Sequence, residues 1–160
     1  MQSRNLFITS LMAIAFAAIS GCASLPSLEV MKAETANYQL PKLPEANKAM
    51  VYVVRPSSLG GLIRFNVFVD DQEAASEMGY TRSSQYIYFS VAPGEHKIYS
   101  KAENWADLNI SAKAGDIFFI QQEPEMGLIM ARNSLFKLDE LPGKYRVKTL
   151  GTGTIIKTEK

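Results

Sequence analysis

Ser84-Gln85-Tyr86-Ile87-Tyr88-Phe89-Ser90-Val91 runs straight into Ala92-Pro93-Gly94-Glu95. The first eight residues alternate in polarity and are rich in β-branched and aromatic side chains, which predicts a strand. Pro93 and Gly94 then suit the two central positions of a type II turn, one fixing φ near −65° and the other accepting positive φ. If the turn occupies residues 92–95 and the chain returns beside itself, Val91 pairs with His96, Phe89 with Ile98 and Ile87 with Ser100. Tyr86, Tyr88 and Tyr99 then share the other face with Lys97 and Lys101, and Trp105 lies in the loop beyond. Tyrosine offers a rigid apolar body and a hydroxyl that wants a partner, so these residues form a candidate interaction patch. The plainer structural alternative is that they line the wetter face of a sandwich strand or lie under the C-terminal segment.

The same period extends in both directions. Met50-Val51-Tyr52-Val53-Val54-Arg55 reads as a strand stopped by Pro56, and Arg64-Phe65-Asn66-Val67-Phe68-Val69 as a second, turned by Asp70-Asp71. A weak return strand over residues 72–77 follows. Later candidates are 96–102, 108–111, 117–122, 128–131, 135–138 and 145–150, with turns at Ala114-Gly115-Asp116 and Pro142-Gly143. Ile117-Phe118-Phe119-Ile120 is apolar on both faces, which predicts a central strand. Seven to nine short strands with frequent turn signals and no long helix predict an all-β, antiparallel sandwich. The expected divisions are a leader at 1–21, a lipidated N-terminus and flexible tether at 22–48, the sandwich at 49–150 and a polar tail at 151–160. Within the tether, Ser27 is placed to cap a short helix.

The leader carries the clearest functional signal. Arg4 precedes an uncharged apolar run, residues 6–19, which ends in Ser20, Gly21 and the single cysteine of the chain. This is the pattern of a secretory signal peptide. Ile19-Ser20-Gly21-Cys22 resembles the lipobox of bacterial lipoproteins, with Ile where Leu is commoner. The resemblance implies that Ile19, Ser20 and Gly21 are read by a signal peptidase and that Cys22 becomes an acylated N-terminus. A thiolate is the side chain nucleophilic enough to take the lipid, and several acyl chains together give stable anchoring. Ala23 in place of an aspartate implies the outer membrane.

The 160-residue chain has 17 Lys and Arg against 16 Asp and Glu, and loss of Arg4 with the leader balances them. That balance argues against nucleic acid as a partner. With one cysteine no disulfide forms within the chain. His96 is the only histidine, too few for a metal site of histidines and cysteines, and its expected role is to cap backbone groups after the turn. Asp70-Asp71 and Glu123-Pro124-Glu125 read as turn residues and not as a paired acid and base. Gly60-Gly61 lacks the spacing and the lysine of a phosphate loop.

Residues 49–56, then Val67-Phe68-Val69-Asp70-Asp71, then Val91-Ala92-Pro93-Gly94-Glu95-His96, together resemble a family of small bacterial envelope lipoproteins. Its domain is the uncharacterised domain of unknown function 2846, and the likeness spans residues 49–138. The Pro93-Gly94-Glu95-His96 turn is also similar to PEGA-type β-sandwich modules. The resemblance implies a β-sandwich in the cell envelope and carries over no catalytic residue and no cofactor. The expected function is therefore a non-enzymatic interaction or assembly module. It would be held to the membrane by lipid on Cys22, facing the periplasm, with an envelope protein as its possible partner. The alternative is a periplasm-facing binding domain for a small ligand or glycan.

Overall fold

The computed structural model describes residues 24–160, so Ile19, Ser20, Gly21 and Cys22 lie outside the described residues. The first element is the helix α1 (Leu28–Thr35), whose N-cap Ser27 accepts a hydrogen bond from the amide of Val30 at 3.4 Å. Eight strands follow: β1 (Ala49–Arg55), β2 (Phe65–Val69), β3 (Glu77–Thr81), β4 (Gln85–Val91), β5 (Gly94–Lys101), β6 (Trp105–Ala112), β7 (Ile117–Glu125) and β8 (Arg132–Leu138). The helix α2 (Glu140–Thr149) and two short strands, β9 (Gly151–Thr152) and β10 (Thr154–Ile155), complete the fold.

The strands form two five-stranded sheets packed as a sandwich. One has the order β8-β7-β1-β4-β9 and the other β10-β3-β2-β5-β6. Ala49, Val51 and Val53 of β1 face the interior, where they meet Val67, Val69, Ile87, Phe89 and Ile98. The first sheet is mixed: β1 runs antiparallel to β4 but parallel to β7, and β9 is parallel to β4. β7 lies between β8 and β1, so the expected central strand is observed.

The first sheet is also buried on its outer face. Met50, Tyr52 and Val54 of β1 join Tyr86, Phe119 and Val147 in a second core, with Tyr38, Leu40 and Leu150 packed against it. Alternating side chains leave a strand on opposite faces, so β1 needs cover on both sides, and the helices and residues 38–43 supply the second. The stretch expected as a flexible tether is thus part of the folded unit from α1 onward. The Tyr52 hydroxyl accepts from the Lys42 amide at 2.9 Å and donates to the Lys42 carbonyl, fixing this segment on the sheet. Lys148 of α2 binds Glu34 of α1.

Other expectations need correction. The Pro142-Gly143 turn and the strand expected at 145–150 are one helix, α2. Pro142 falls in its first turn, where an amide hydrogen is not needed. A β-carbon on Gly143 would land on the Phe119 ring, so glycine is what lets α2 lie this close to β7. The expected return strand at 72–77 is interrupted by a 3-10 turn (Ala74–Ser76), and β3 starts only at Glu77. Residues 128–131 are a loop. Glu123, Pro124 and Glu125 end β7 instead of forming a turn, paired with Ser134, Asn133 and Arg132 of β8. The expected polar tail is also ordered. β9 pairs with β4 in one sheet and β10 with β3 in the other, so the C-terminal segment crosses between the sheets along one side.

At the end of the sandwich where β1, β5 and β7 finish, the sheets are tied by polar groups. Gln122 accepts from the Thr81 hydroxyl and donates to the Ser100 hydroxyl at 2.7 Å, both bonds buried. The Asn104 side chain brackets Asn133, donating to its carbonyl at 2.9 Å and accepting from its amide at 2.8 Å. Arg55 is fully buried and donates to the carbonyls of Ile63, Leu59 and Gly60 at 2.6, 2.9 and 2.8 Å, with its guanidinium 3.7 Å from the Phe65 ring centre. Burial lowers the Arg55 pKa to about 10, which still leaves it cationic at neutral pH. The Glu103 carboxylate accepts from the amides of Leu128, Ile129 and Met130 at 2.9, 2.8 and 2.6 Å.

Two outcomes follow from this architecture. Gly143→Val is expected to push α2 off Phe119 and cost about 1–3 kcal/mol, the usual range for overpacking, measured by thermal or urea unfolding. Unchanged stability would mean that α2 does not bear on the sheet. The three amides, Met130 foremost, hold the Glu103 carboxyl down to about 2. Because its folded pKa is depressed, the clasp contributes fully above the ordinary carboxylate range and is lost as pH falls through about 2. The amide NMR signals of Leu128, Ile129 and Met130 should therefore hold steady from pH 7 to 4 and shift only near 2. Glu103→Gln should shift them at every pH.

Candidate functional site

The patch predicted from the Pro93-Gly94 turn does not form. β4 pairs with β1 and β9, and β5 pairs with β2 and β6, so Ala92-Pro93 carries the chain from one sheet to the other. Val91 lies opposite Ala49 and His96 opposite Ile110, not opposite each other. Phe89 and Ile98 do meet, but across the core and not as strand neighbours. The outward-facing tyrosines consequently end on opposite sides of the molecule.

Tyr86 and Tyr88 belong to the aromatic layer beneath the helices. Tyr52 packs against both, with ring centres 6.2 and 5.8 Å away, and stacks on Phe119 at 5.6 Å. Tyr86 is buried, and its hydroxyl accepts from Thr152 at 3.2 Å. Burial pushes the Tyr52 phenol up to about 12. This half of the expected patch is core, covered in part by the C-terminal segment as the structural alternative foresaw.

Tyr99 remains on the open face of the second sheet, where Lys97 and Lys101 accompany it. Trp105 is the first residue of β6 and not a loop residue, and its ring meets Tyr99 edge-on at 6.3 Å and Phe68 at 5.1 Å. The Lys97 ammonium lies 5.8 Å from the Tyr99 ring and the Lys101 ammonium 5.1 Å from the Trp105 ring. Phe68 could have been found from its alternation with Asn66 along β2, once β2 was known to neighbour β5. The surviving surface is an aromatic strip edged by two cations.

A second feature had no sequence signal. Between residues 38–43 and the start of β7 and α2 lies an open groove of about 670 Å³. Tyr38, Leu40, Leu43 and Phe119 give it apolar walls, and Lys137 and Lys144 stand at its edge. Its size is that of a small-molecule site. It exists because the docked segment and α2 cover β1 without closing over the start of β7.

His96 caps backbone groups, as its position suggested. Its Nε2 donates to the Ala92 carbonyl at 2.8 Å, and Nδ1 lies 3.0 Å from Asp70. Both contacts brace the passage between the sheets, and the Asp70 carboxylate also accepts from the Lys97 amide at 3.3 Å. Asp71 accepts from the Glu73 amide at 2.9 Å, a turn role as expected. Among the described residues no group of three or more His, Cys, Asp or Glu side chains is arranged to hold a metal ion.

A Haemophilus influenzae (strain ATCC 51907 / DSM 11121 / KW20 / Rd) protein described as "Uncharacterized protein" is 28% identical over 133 residues, covering 82% of this chain and 76% of its own length. Residues 45–135, from just before β1 into β8, match the family described as "Protein of unknown function (DUF2846)". That stretch contains seven of the strands that build the two sheets, from β1 to β7, and the turn over Ala92-Pro93 that joins them. The chain belongs to the DUF2846 family.

Proposed function

We propose that this protein is a lipid-anchored lipoprotein of the bacterial cell envelope, outer-membrane and periplasm-facing, whose sandwich serves as a non-enzymatic interaction or assembly module. The observation that carries the reading is Ile19-Ser20-Gly21-Cys22 at the end of an uncharged apolar run. The non-enzymatic reading draws support from the engagement of the single histidine in bracing the fold. The candidate contact surface is Tyr99 and Trp105 with Lys97 and Lys101, backed by the buried Phe68 ring, where aromatics and cations combine as they do at the centres of protein interfaces.

The docking of α1 sharpens this proposal. From Cys22 to the Ser27 cap the chain spans at most about 18 Å when fully extended. A lipid on Cys22 would then keep the sandwich against the bilayer surface.

The groove beside Tyr38 and Phe119 favours a second reading, a binding domain for a small ligand or glycan. At a hundredfold excess over Kd such a ligand raises the melting temperature by about 5–10 °C. Leu43→Glu should abolish that rise.

The test of the principal reading combines acylation and capture. A palmitate analogue should label the native protein, and Cys22→Ser should lose both the label and the membrane fractionation. An unlabelled native chain would sink the anchor. A photo-crosslinking residue at position 99 should trap a discrete envelope protein, and Trp105→Ala should reduce that capture at least tenfold, the loss expected for an interface hot spot. The same residue at position 86, which lies in the core, should trap nothing.

A further inference from the structure

At the end of the sandwich tied by Gln122, two loops carry apolar side chains into solvent. Leu62, Met126, Leu128 and Ile129 are 92, 83, 92 and 87% exposed, and Met130 is half exposed. Scattered exposed apolar residues are ordinary on any protein. Here five of them lie on two adjoining loops: a β-carbon on Gly60 would sit 2.9 Å from that of Ala131. β7 continues past its last pair with β1, Val54 with Gln121, so the β7–β8 turn stands out beyond the sheet.

This tip is held in place from both sides. Arg55 gathers three carbonyls of one loop, and Glu103 gathers three amides of the other. The Glu103 bonds also satisfy backbone donors that would otherwise oppose entry into an apolar medium. Cations ring the tip together with the carboxylates of Glu103, Glu123 and Glu125. Arg132 abuts Gly127, Arg64 and Arg82 flank the Tyr80 ring at 5.5 and 5.4 Å, and Lys101 lies over Trp105. Asp70, Asp71, Glu95 and Asp116 lie at the opposite end of the sandwich, beside the far ends of β2, β5 and β7.

We propose that the 126–130 loop, with Leu62 beside it, is a membrane-inserting tip that seats in the headgroup–acyl boundary of a bilayer containing anionic phospholipid. Each side chain projects alone from a convex loop, a shape that a fluid bilayer envelops. Protein hot spots instead cluster in packed pockets. Leu, Ile and Met beside Arg132, Arg64, Arg82 and Lys101, with a tryptophan at the rim, match the layering of the membrane interface. The inference rests on the proposed anchor at Cys22, which brings the domain to that surface. Two attachments, lipid and tip, fix the orientation of the module on the membrane, which one alone does not.

Trp105 is the only tryptophan of the chain, and it lies two residues from Glu103, so its fluorescence reports the tip directly. The experiment uses the full chain purified from membranes and reconstituted into phosphatidylethanolamine–phosphatidylglycerol vesicles doped with brominated phosphatidylcholine. Trp105 emission should shift to the blue and be quenched more by bromines near the headgroup than by those near the chain ends. Replacing phosphatidylglycerol with neutral lipid should weaken the quenching. Leu128→Glu with Ile129→Glu should abolish it while the chain stays folded and vesicle-bound. A vesicle-bound, folded chain with unquenched Trp105, or quenching that survives the double substitution, overturns the proposal. A dimer that dissociates on the double substitution, with Trp105 unquenched, assigns the tip to a second copy and overturns it as well. If mass spectrometry finds no acyl group on Cys22, the anchor reading falls by itself. The unlipidated chain must then still show the quenching at millimolar lipid, and its absence there overturns the tip.

Discussion

Everything in this fold follows from β1 being buried on both faces. Its seven residues are all buried, and it is bonded along both edges, to β4 and to β7. A two-layer sandwich covers only one face of each sheet, leaving Met50, Tyr52 and Val54 uncovered. Burying a large side chain such as Tyr52 contributes on the order of 1.5–3 kcal/mol, enough to order α1, α2 and the intervening segment as a third layer. Tyr52 also satisfies its hydroxyl on the backbone of Lys42, without which its burial would be costly.

The two ends of the sandwich are stabilised differently. Where β4 passes into β5, His96 and Asp70 brace the crossing between sheets. At the other end, Arg55, Gln122, Asn104 and Glu103 satisfy loop and strand groups that would otherwise lie unpaired. A buried guanidinium facing carbonyls and an aromatic ring is a demanding arrangement, because carbonyl dipoles replace only part of its hydration. Its consequence is a fixed loop over residues 59–63, and the neighbouring loop is fixed by Glu103. This end can therefore project apolar side chains without collapsing onto them.

The docked N-terminal layer bears directly on the proposed function. A long free tether would let the domain sample many orientations, and surface contacts with the membrane would then carry little consequence. With α1 packed on α2, only a few residues separate the proposed lipid from the folded unit. A lipid there would narrow the orientations open to the domain, and the aromatic strip around Tyr99 is displayed on the side away from the helical layer.

Much of the chain was legible from residues alone. Strand positions for β1, β2, β4 and β7 and the second half of β6 follow from period-two alternation, the central place of β7 from its two-sided apolarity, and the Ser27 cap from its side-chain chemistry. The family likeness is likewise carried by local patterns. Alternation reports which face a side chain takes but not which strand lies alongside, because backbone donors and acceptors are alike at every residue. Hence Pro93-Gly94 marked a reversal correctly, while only the tertiary structure decided that the reversal passes between sheets, sending Tyr86 into the core and Tyr99 to the surface. The helical state of residues 140–149 and the docking of residues 28–43 were set the same way, by a buried face of β1 needing cover from chain distant in sequence. The sequence by itself determined most of the strands and the family likeness. Long-range burial decided the third layer, the groove, the aromatic strip and the apolar tip.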